Sequence, residues 1–131
     1  MKTPELIVLG SSSDGNGYII ECGSESLVLE LGLDFSSYNI NFSKIAGCLV
    51  SHDHHDHFRK TTAEKFIRLG VPIFGGEGVC EAIQGAFEVK VAHRYKIGEG
   101  FLVQPVSVPH SVPALAYVID HPDTGRIVFA T

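Results

Sequence analysis

Seven consecutive residues, Ser51-His52-Asp53-His54-His55-Asp56-His57, carry four imidazoles and two carboxylates directly behind the apolar run Ile45-Ala46-Gly47-Cys48-Leu49-Val50. Mixed imidazole and carboxylate donors suit zinc and neighbouring first-row ions, whereas an all-oxygen set would point to calcium or magnesium. Zinc is the expected ion, and Mn2+ or Fe2+ fits the same donors. A strand ending near Ser51 turns alternate side chains to one side, so His52 and His54 can reach a common ion. Asp56 keeps that parity and His57 breaks it, which requires the backbone to leave the extended form near His55. The spacing therefore predicts two adjacent positions holding one or two ions. The competing explanation is a histidine-rich surface loop that binds ions loosely. An apolar strand before the cluster and a helix start after it favour a built site, with Asp53 and His55 as loop residues between the ligands.

The elements around the cluster follow from period and punctuation. Strands are expected over Leu6–Gly10, Gly17–Cys22 and Ser26–Leu31, the first two joined by a turn-rich run from Ser11 to Gly17. After the cluster, Thr61-Thr62-Ala63-Glu64 has the form of a capping box and predicts a helix from Thr62 to Leu69, stopped at Gly70. A strand over Val71–Phe74 and a short helix over Glu77–Gln84 continue a βα alternation. From Glu88 onward the pattern is mostly strands: Glu88–Ala92, Phe101–Val108, Ala114–Ile119 and Arg126–Ala130, the last two joined by a hairpin turn. His93 and His121 fall in expected turns and read as surface residues.

With 131 residues, of which 44% are hydrophobic, the chain can bury one sizeable core and not two. No apolar run approaches the ~20 residues of a membrane span, and the start Met1-Lys2-Thr3-Pro4-Glu5 lacks a signal-peptide core, so a soluble, cytoplasmic protein is expected. Cys22, Cys48 and Cys80 are odd in number and widely spaced, which suits buried free thiols rather than a disulfide framework. A net charge of -5 gives no global attraction for nucleic acid. Any phosphate contact must come from a local patch, and Arg59, Lys60, Lys65 and Arg68 form one beside the histidine cluster. Such a patch is ordinarily a solvated helix face.

The pattern His-x-His-x-Asp-His, read as His52, His54, Asp56 and His57, resembles the signature of the metallo-β-lactamase superfamily of metal-dependent hydrolases. The likeness extends to the order of elements along the chain. The first turn, Ser11-Ser12-Ser13-Asp14-Gly15-Asn16-Gly17, is similar to the Gly-Ser-x-Ser-x-Gly-Asn opening of a branch of small bacterial and phage-associated members. The resemblance implies an α+β fold, a four-layer αββα sandwich. Residues 1–131 would be a single domain covering the N-terminal half and the start of the second half, incomplete at its C-terminus. Glu30 stands where the family often has Asp before a Gly, and Ser51 where Thr usually precedes the first His. The family's bridging Asp follows a strand like Arg126-Ile127-Val128-Phe129-Ala130-Thr131, and its last His ligand lies further on.

His110, in Val108-Pro109-His110-Ser111, matches the position of another family ligand. The resemblance thus implies His52, His54 and His110 at one metal and Asp56 and His57 at a second, with Asp56 also the catalytic group that orients water and accepts its proton. It implies a hydrolase using a metal-activated hydroxide. Ser12, Ser13 and Asn16 in the first loop, with Arg59 and Lys60, are the expected substrate contacts and favour an anionic phosphodiester such as DNA or a nucleotide. A small-molecule ester, thioester or lactone hydrolase, and a non-catalytic metal-binding half-fold, are the alternatives. Apolar strands left with an open face or edge are expected to associate with a second copy or with a missing C-terminal half.

Overall fold

A computed structural model describes residues 2–109 and 114–131 of the chain. Apolar alternation builds two sheets. The first has the order β1 (Glu5–Ser12), β2 (Gly15–Cys22), β3 (Glu25–Leu29), β4 (Ile45–Leu49), β5 (Ile73–Gly75) and β6 (Phe87–Glu88). β1 to β3 form an antiparallel meander, and β3 to β6 pair in parallel. Helices α1 (Lys60–Arg68) and α2 (Glu77–Ala82) make the crossovers of this parallel part. The second sheet is antiparallel throughout, in the order β10 (Gly125–Phe129), β9 (Ala114–His121), β8 (Phe101–Val108) and β7 (Tyr95–Ile97).

Two cores separate three layers. Val28, Cys48, Val50 and Ile73 face Ala63, Phe66 and Val79 of the helices, closing one face of the first sheet. Ile20, Leu27, Leu29 and Leu49 meet Phe101, Val103, Tyr117 and Ile119 between the sheets. The first sheet is wider than the second. Leu6 pairs with Ile20 and Val8 with Tyr18, so both belong to the inter-sheet face, yet they are 59% and 56% exposed. Phe129 of β10 packs edge-on against Tyr18 of β2, which places the last strand of the second sheet over β2 and leaves β1 uncovered. No helix among the described residues is long and apolar enough to cross a membrane.

Several boundaries differ from the sequence expectation. The capping box does not form: α1 starts at Lys60, so that Thr61 lies inside the helix, and it has no side-chain cap. Thr62 donates to the Leu33 carbonyl at 2.8 Å and ties the helix to the loop after β3. The expected strand over Glu88–Ala92 ends at Glu88, and Ala92 takes a left-handed φ of 67°, which extended structure does not allow. β7 is three residues long, too short to leave a pattern. Cys22 and Cys48 are buried as expected, whereas Cys80 is half-buried. His121 is not a surface residue: it is buried at the end of β9, its Nε2 2.8 Å from Glu25 Oε2.

Candidate metal centre

The histidine cluster lies where the parallel strands end, beyond β4. Backbone bonds from three separate segments hold it. Leu31 N–H reaches the His57 carbonyl, Arg59 N–H returns to the Leu31 carbonyl, and Leu115 N–H of β9 reaches the Ser51 carbonyl, all at 2.8–2.9 Å. The first hairpin adds Asn16, whose backbone N–H and side-chain amide both donate to the Asp56 carbonyl, at 2.8 and 3.0 Å. Gly32 packs against that same carbonyl so closely that a Cβ would overlap it.

At the centre is Glu30, fully buried, with a left-handed φ of 71°. A non-glycine residue in that region stores roughly 1–3 kcal/mol of strain, which the surroundings must outweigh. They do so through the carboxylate. Glu30 Oε1 accepts Ser51 N–H at 2.7 Å, while Oε2 accepts the Ser51 hydroxyl at 2.6 Å and is also bonded to His57 Nδ1. The hydrogen bond to Glu30 raises the His57 imidazole above its ordinary pKa against the opposing effect of burial, and the charges of Glu30 and Asp56 add to the rise. Ser51 Oγ lies 2.8 Å from His52 Nδ1, and Thr131 Oγ1 donates to the same oxygen at 3.3 Å.

The donor set fits a first-row metal. Ligand atoms of Glu30, His52 and His57 lie within 4.8 Å of one another. The ring centroids of His52 and His54 are 4.7 Å apart, and those of His52 and His57 4.2 Å. His57 Nε2 and Asp56 Oδ2 are 3.4 Å apart, close to the roughly 3.3 Å that tetrahedral zinc bonds of ~2.0–2.1 Å set between neighbouring donors. His52, His54, Asp56 and His57 are therefore brought together. His110 lies outside the described residues, as do 111–113. Glu30 carries no sequence signal of this role beyond its departure from the family's Asp, since its partners are 21 and 27 residues away.

Two clefts of about 580 Å³ flank the group. One is lined by Ser11, Ser12, Ser13 and Asn16 together with Asp56, His57, Phe129 and Thr131. The other is lined by His52 with Asp53, Glu77 and Glu81, and by Lys90, which pairs with Glu88 at 3.2 Å. Ser12 and Ser13 thus share a cleft with Asp56. Asn16 is engaged within the hairpin: its amide donates to the Ser12 and Asp56 carbonyls and its oxygen accepts Tyr18 Oη. Arg59 and Lys60 line neither cleft, and Arg59 Nη2 donates to the Asp14 carbonyl at 3.3 Å.

The chain has the metallo-β-lactamase fold. It is similar over 90% of its length to the metallo-β-lactamase fold protein YhfI of Bacillus subtilis, with a TM-score of 0.71 and 19% identity, covering 58% of that chain. A metallo-β-lactamase of Cronobacter sakazakii matches 98% of the chain at a TM-score of 0.73 and 12% identity, with 62% of its own length covered. The short form of human tRNase Z matches 96% at 0.68 and 13% identity, with 68% covered. The chain thus spans about three fifths of the length of the structures it resembles, in keeping with a partial sandwich. No protein-family model and no curated protein matches the sequence.

Proposed function

We propose that this chain is the metal-bearing part of a metal-dependent hydrolase acting on a phosphodiester, with zinc as its ion. The observation that carries the proposal is the 3.4 Å approach of His57 Nε2 to Asp56 Oδ2 beside His52, in a cleft rimmed by Ser11, Ser12 and Ser13. His52, His54 and His110 would hold one ion, and Asp56 with His57 a second. A bound zinc ion supplies polarisation of the scissile bond and lowers the pKa of coordinated water towards ~7. The residues of the chain do the rest. Asp56 is half-exposed at the cleft and would orient a water and accept its proton. The hydroxyls of Ser11, Ser12 and Ser13, which line the same cleft, would donate to non-bridging oxygens of an anionic substrate. Nuclease-like action on DNA or a nucleotide is the form of the reaction that the first loop favours.

A second function, hydrolysis of a small uncharged ester, thioester or lactone, is favoured by one observation. The cleft that contains His52 carries Asp53, Glu77 and Glu81, its Lys90 is paired with Glu88, and the basic residues Arg59 and Lys60 line neither cleft.

The test begins with metal content after dialysis, where about one tightly held ion per chain is expected, because three imidazoles make a zinc platform and two ligands alone hold an ion poorly. Unchanged metal content in the double substitution His52→Ala and His110→Ala would sink the assignment. Activity on bis-nitrophenyl phosphate is then compared with that on a chromogenic lactam and a thioester. Preference for the phosphodiester, lost in Asp56→Asn, is expected. Preference for the thioester selects the second function, and metal binding without any turnover selects a non-catalytic metal-binding half-fold.

A further inference from the structure

We infer that Asn16 is a positioning residue of the histidine loop: its side-chain amide fixes the peptide that joins Asp56 to His57 and ties that peptide to the serine rim of the cleft. Asn16 is buried. Its main-chain N–H and its Nδ2 both donate to the Asp56 carbonyl, at 2.8 and 3.0 Å, and Nδ2 also donates to the Ser12 carbonyl at 3.0 Å. Its main-chain carbonyl accepts Gly32 N–H at 2.8 Å, and Oδ1 accepts the Tyr18 phenol at 3.1 Å. A side-chain amide has two protons on nitrogen and one acceptor oxygen, whereas a carbonyl only accepts. The nitrogen must therefore face the two carbonyls, and the amide has one orientation.

The consequence lies in the peptide that is held. A peptide group is planar, so the direction of its carbonyl sets how the residues on either side depart from it. In this peptide the carbonyl belongs to Asp56 and the N–H to His57, and that N–H donates to the His54 carbonyl at 2.9 Å. Asn16 holds one end of the plane and His54 the other. Asp56 and His57 leave this plane with Oδ2 and Nε2 3.4 Å apart. The second carbonyl on Nδ2 belongs to Ser12, which shares a cleft with Asp56, so the same amide sets the span between these donors and the serine rim. Asn16 thus acts on a substrate through the residues it holds.

The inference deepens the proposed function, and its link to catalysis rests on that reading. Its test begins without metal. Hydrogen exchange is followed by NMR in the chelator-treated wild type, in Asn16→Ala and in Asn16→Asp. In the wild type the Asn16 Nδ2 protons should exchange more slowly than those of an exposed amide. In Asn16→Ala the His57 N–H should exchange about tenfold faster, as the loss of one hydrogen bond implies. Cys48 N–H, bonded to the Pro72 carbonyl at 2.9 Å, is the reference for the fold and should keep its rate. Asn16→Asp keeps the shape of the side chain and turns an oxygen towards the Ser12 and Asp56 carbonyls, so its His57 N–H should exchange at least as fast as in Asn16→Ala.

A residue that only fills space gives the opposite order, with Asn16→Asp close to the wild type. That order, or an unchanged His57 rate in Asn16→Ala, overturns the inference. Variants that also lose Cys48 protection have unfolded, and the wild type then decides: protected Nδ2 protons support the inference and freely exchanging ones overturn it. Zinc titration in the same spectra separates the two claims. Asp56 and His57 signals indifferent to zinc refute the metal reading and leave the exchange result to judge Asn16. Where they respond, Asn16→Ala should weaken the response of Asp56 and His57 by about tenfold and spare that of His52 and His54. An equal loss at all four overturns the positioning role.

Discussion

The phenol of Tyr117 donates a 2.7 Å hydrogen bond to the carbonyl of Val50, 67 residues earlier in the chain. Tyr117 belongs to β9 of the second sheet and Val50 directly precedes the metal loop, so the bond fastens the loop's entry to the opposite sheet. Tyr117 is fully buried, and burial pushes its phenol far above the ordinary range, with the nearby charge of Glu30 adding to the shift. The phenol is therefore a hydrogen-bond donor at neutral pH. Tyr117→Phe removes one hydroxyl and leaves the Val50 carbonyl without that donor. A loss of about 1–3 kcal/mol is expected, seen as a lower denaturant midpoint with an unchanged slope. Metal affinity should fall as well, because the loop's first residue loses an anchor. Unchanged affinity would show that the bond from Leu115 N–H to the Ser51 carbonyl suffices.

Gly32 is the tightest position in the site. Its absent side chain is what lets the loop after β3 lie against the Asp56 carbonyl, which Asn16 then holds from the other side. Gly32→Ala has no small adjustment open to it, since the obstacle is backbone and not the far end of a flexible side chain. Overpacking against backbone costs about 3 kcal/mol or more. Thermal unfolding should show a large drop in midpoint, and zinc uptake at ambient temperature should be impaired. A variant of wild-type stability would mean that the loop does not pack as described.

The candidate metal loop was legible in the sequence because donors supplied by one short segment must appear at fixed spacing, as those of His52, His54, Asp56 and His57 do. The order of strands and helices was legible because each buried face repeats with the period of its element. Glu30 was not legible in its role: three of its contacts are to Ser51 and His57, which only folding brings near. His121 read as a turn residue because its partner Glu25 is 96 positions away. The capping-box pattern at Thr61 to Glu64 misled because the helix begins before it, at Lys60, which leaves Thr61 inside the first turn rather than at the cap. Exposure of β1 was illegible for the same reason. Leu6 and Val8 alternate as buried residues would, and only the width of the opposing sheet decides whether anything covers them.

Glu25 and His121 supply a pH test at the other end of the sheets. Burial works to raise the Glu25 pKa, but hydrogen bonds from His121, Glu99 N–H and Gly100 N–H outweigh it and hold the carboxyl below its ordinary range. A carboxylate with a lowered folded pKa contributes stability that is present above its unfolded value of about 4.3 and is lost as pH falls through the folded value. Glu25→Gln would turn an amide N–H towards donors that need acceptors. At neutral pH the variant should be less stable by about 1–3 kcal/mol. The gap to wild type should narrow as pH falls below about 4.3. A gap that is constant from pH 7 to pH 3 would show that the ionised carboxylate is not what matters.

The uncovered inter-sheet face should make the chain associate. Leu6 and Val8 point to the side on which Ile20 is buried, but the second sheet ends at β10 and stops short of them. β10 in turn pairs on one side only, with β9, and its Val128 is 65% exposed. An apolar face beside an unpaired strand edge favours association with another element. A strand added next to β10 would lie about 4.8 Å further out, in the second sheet's plane and over β1. That geometry would cover Leu6 and Val8 whether the strand came from a second copy or from additional sequence. The 131-residue chain is therefore expected to self-associate, with a sedimentation coefficient that rises with concentration. Charged substitutions at both positions, Leu6→Lys and Val8→Glu, should reduce association without lowering stability, since neither side chain is buried in the isolated chain. A monomer at all concentrations, with cooperative unfolding, would show that β1 and β10 need no cover.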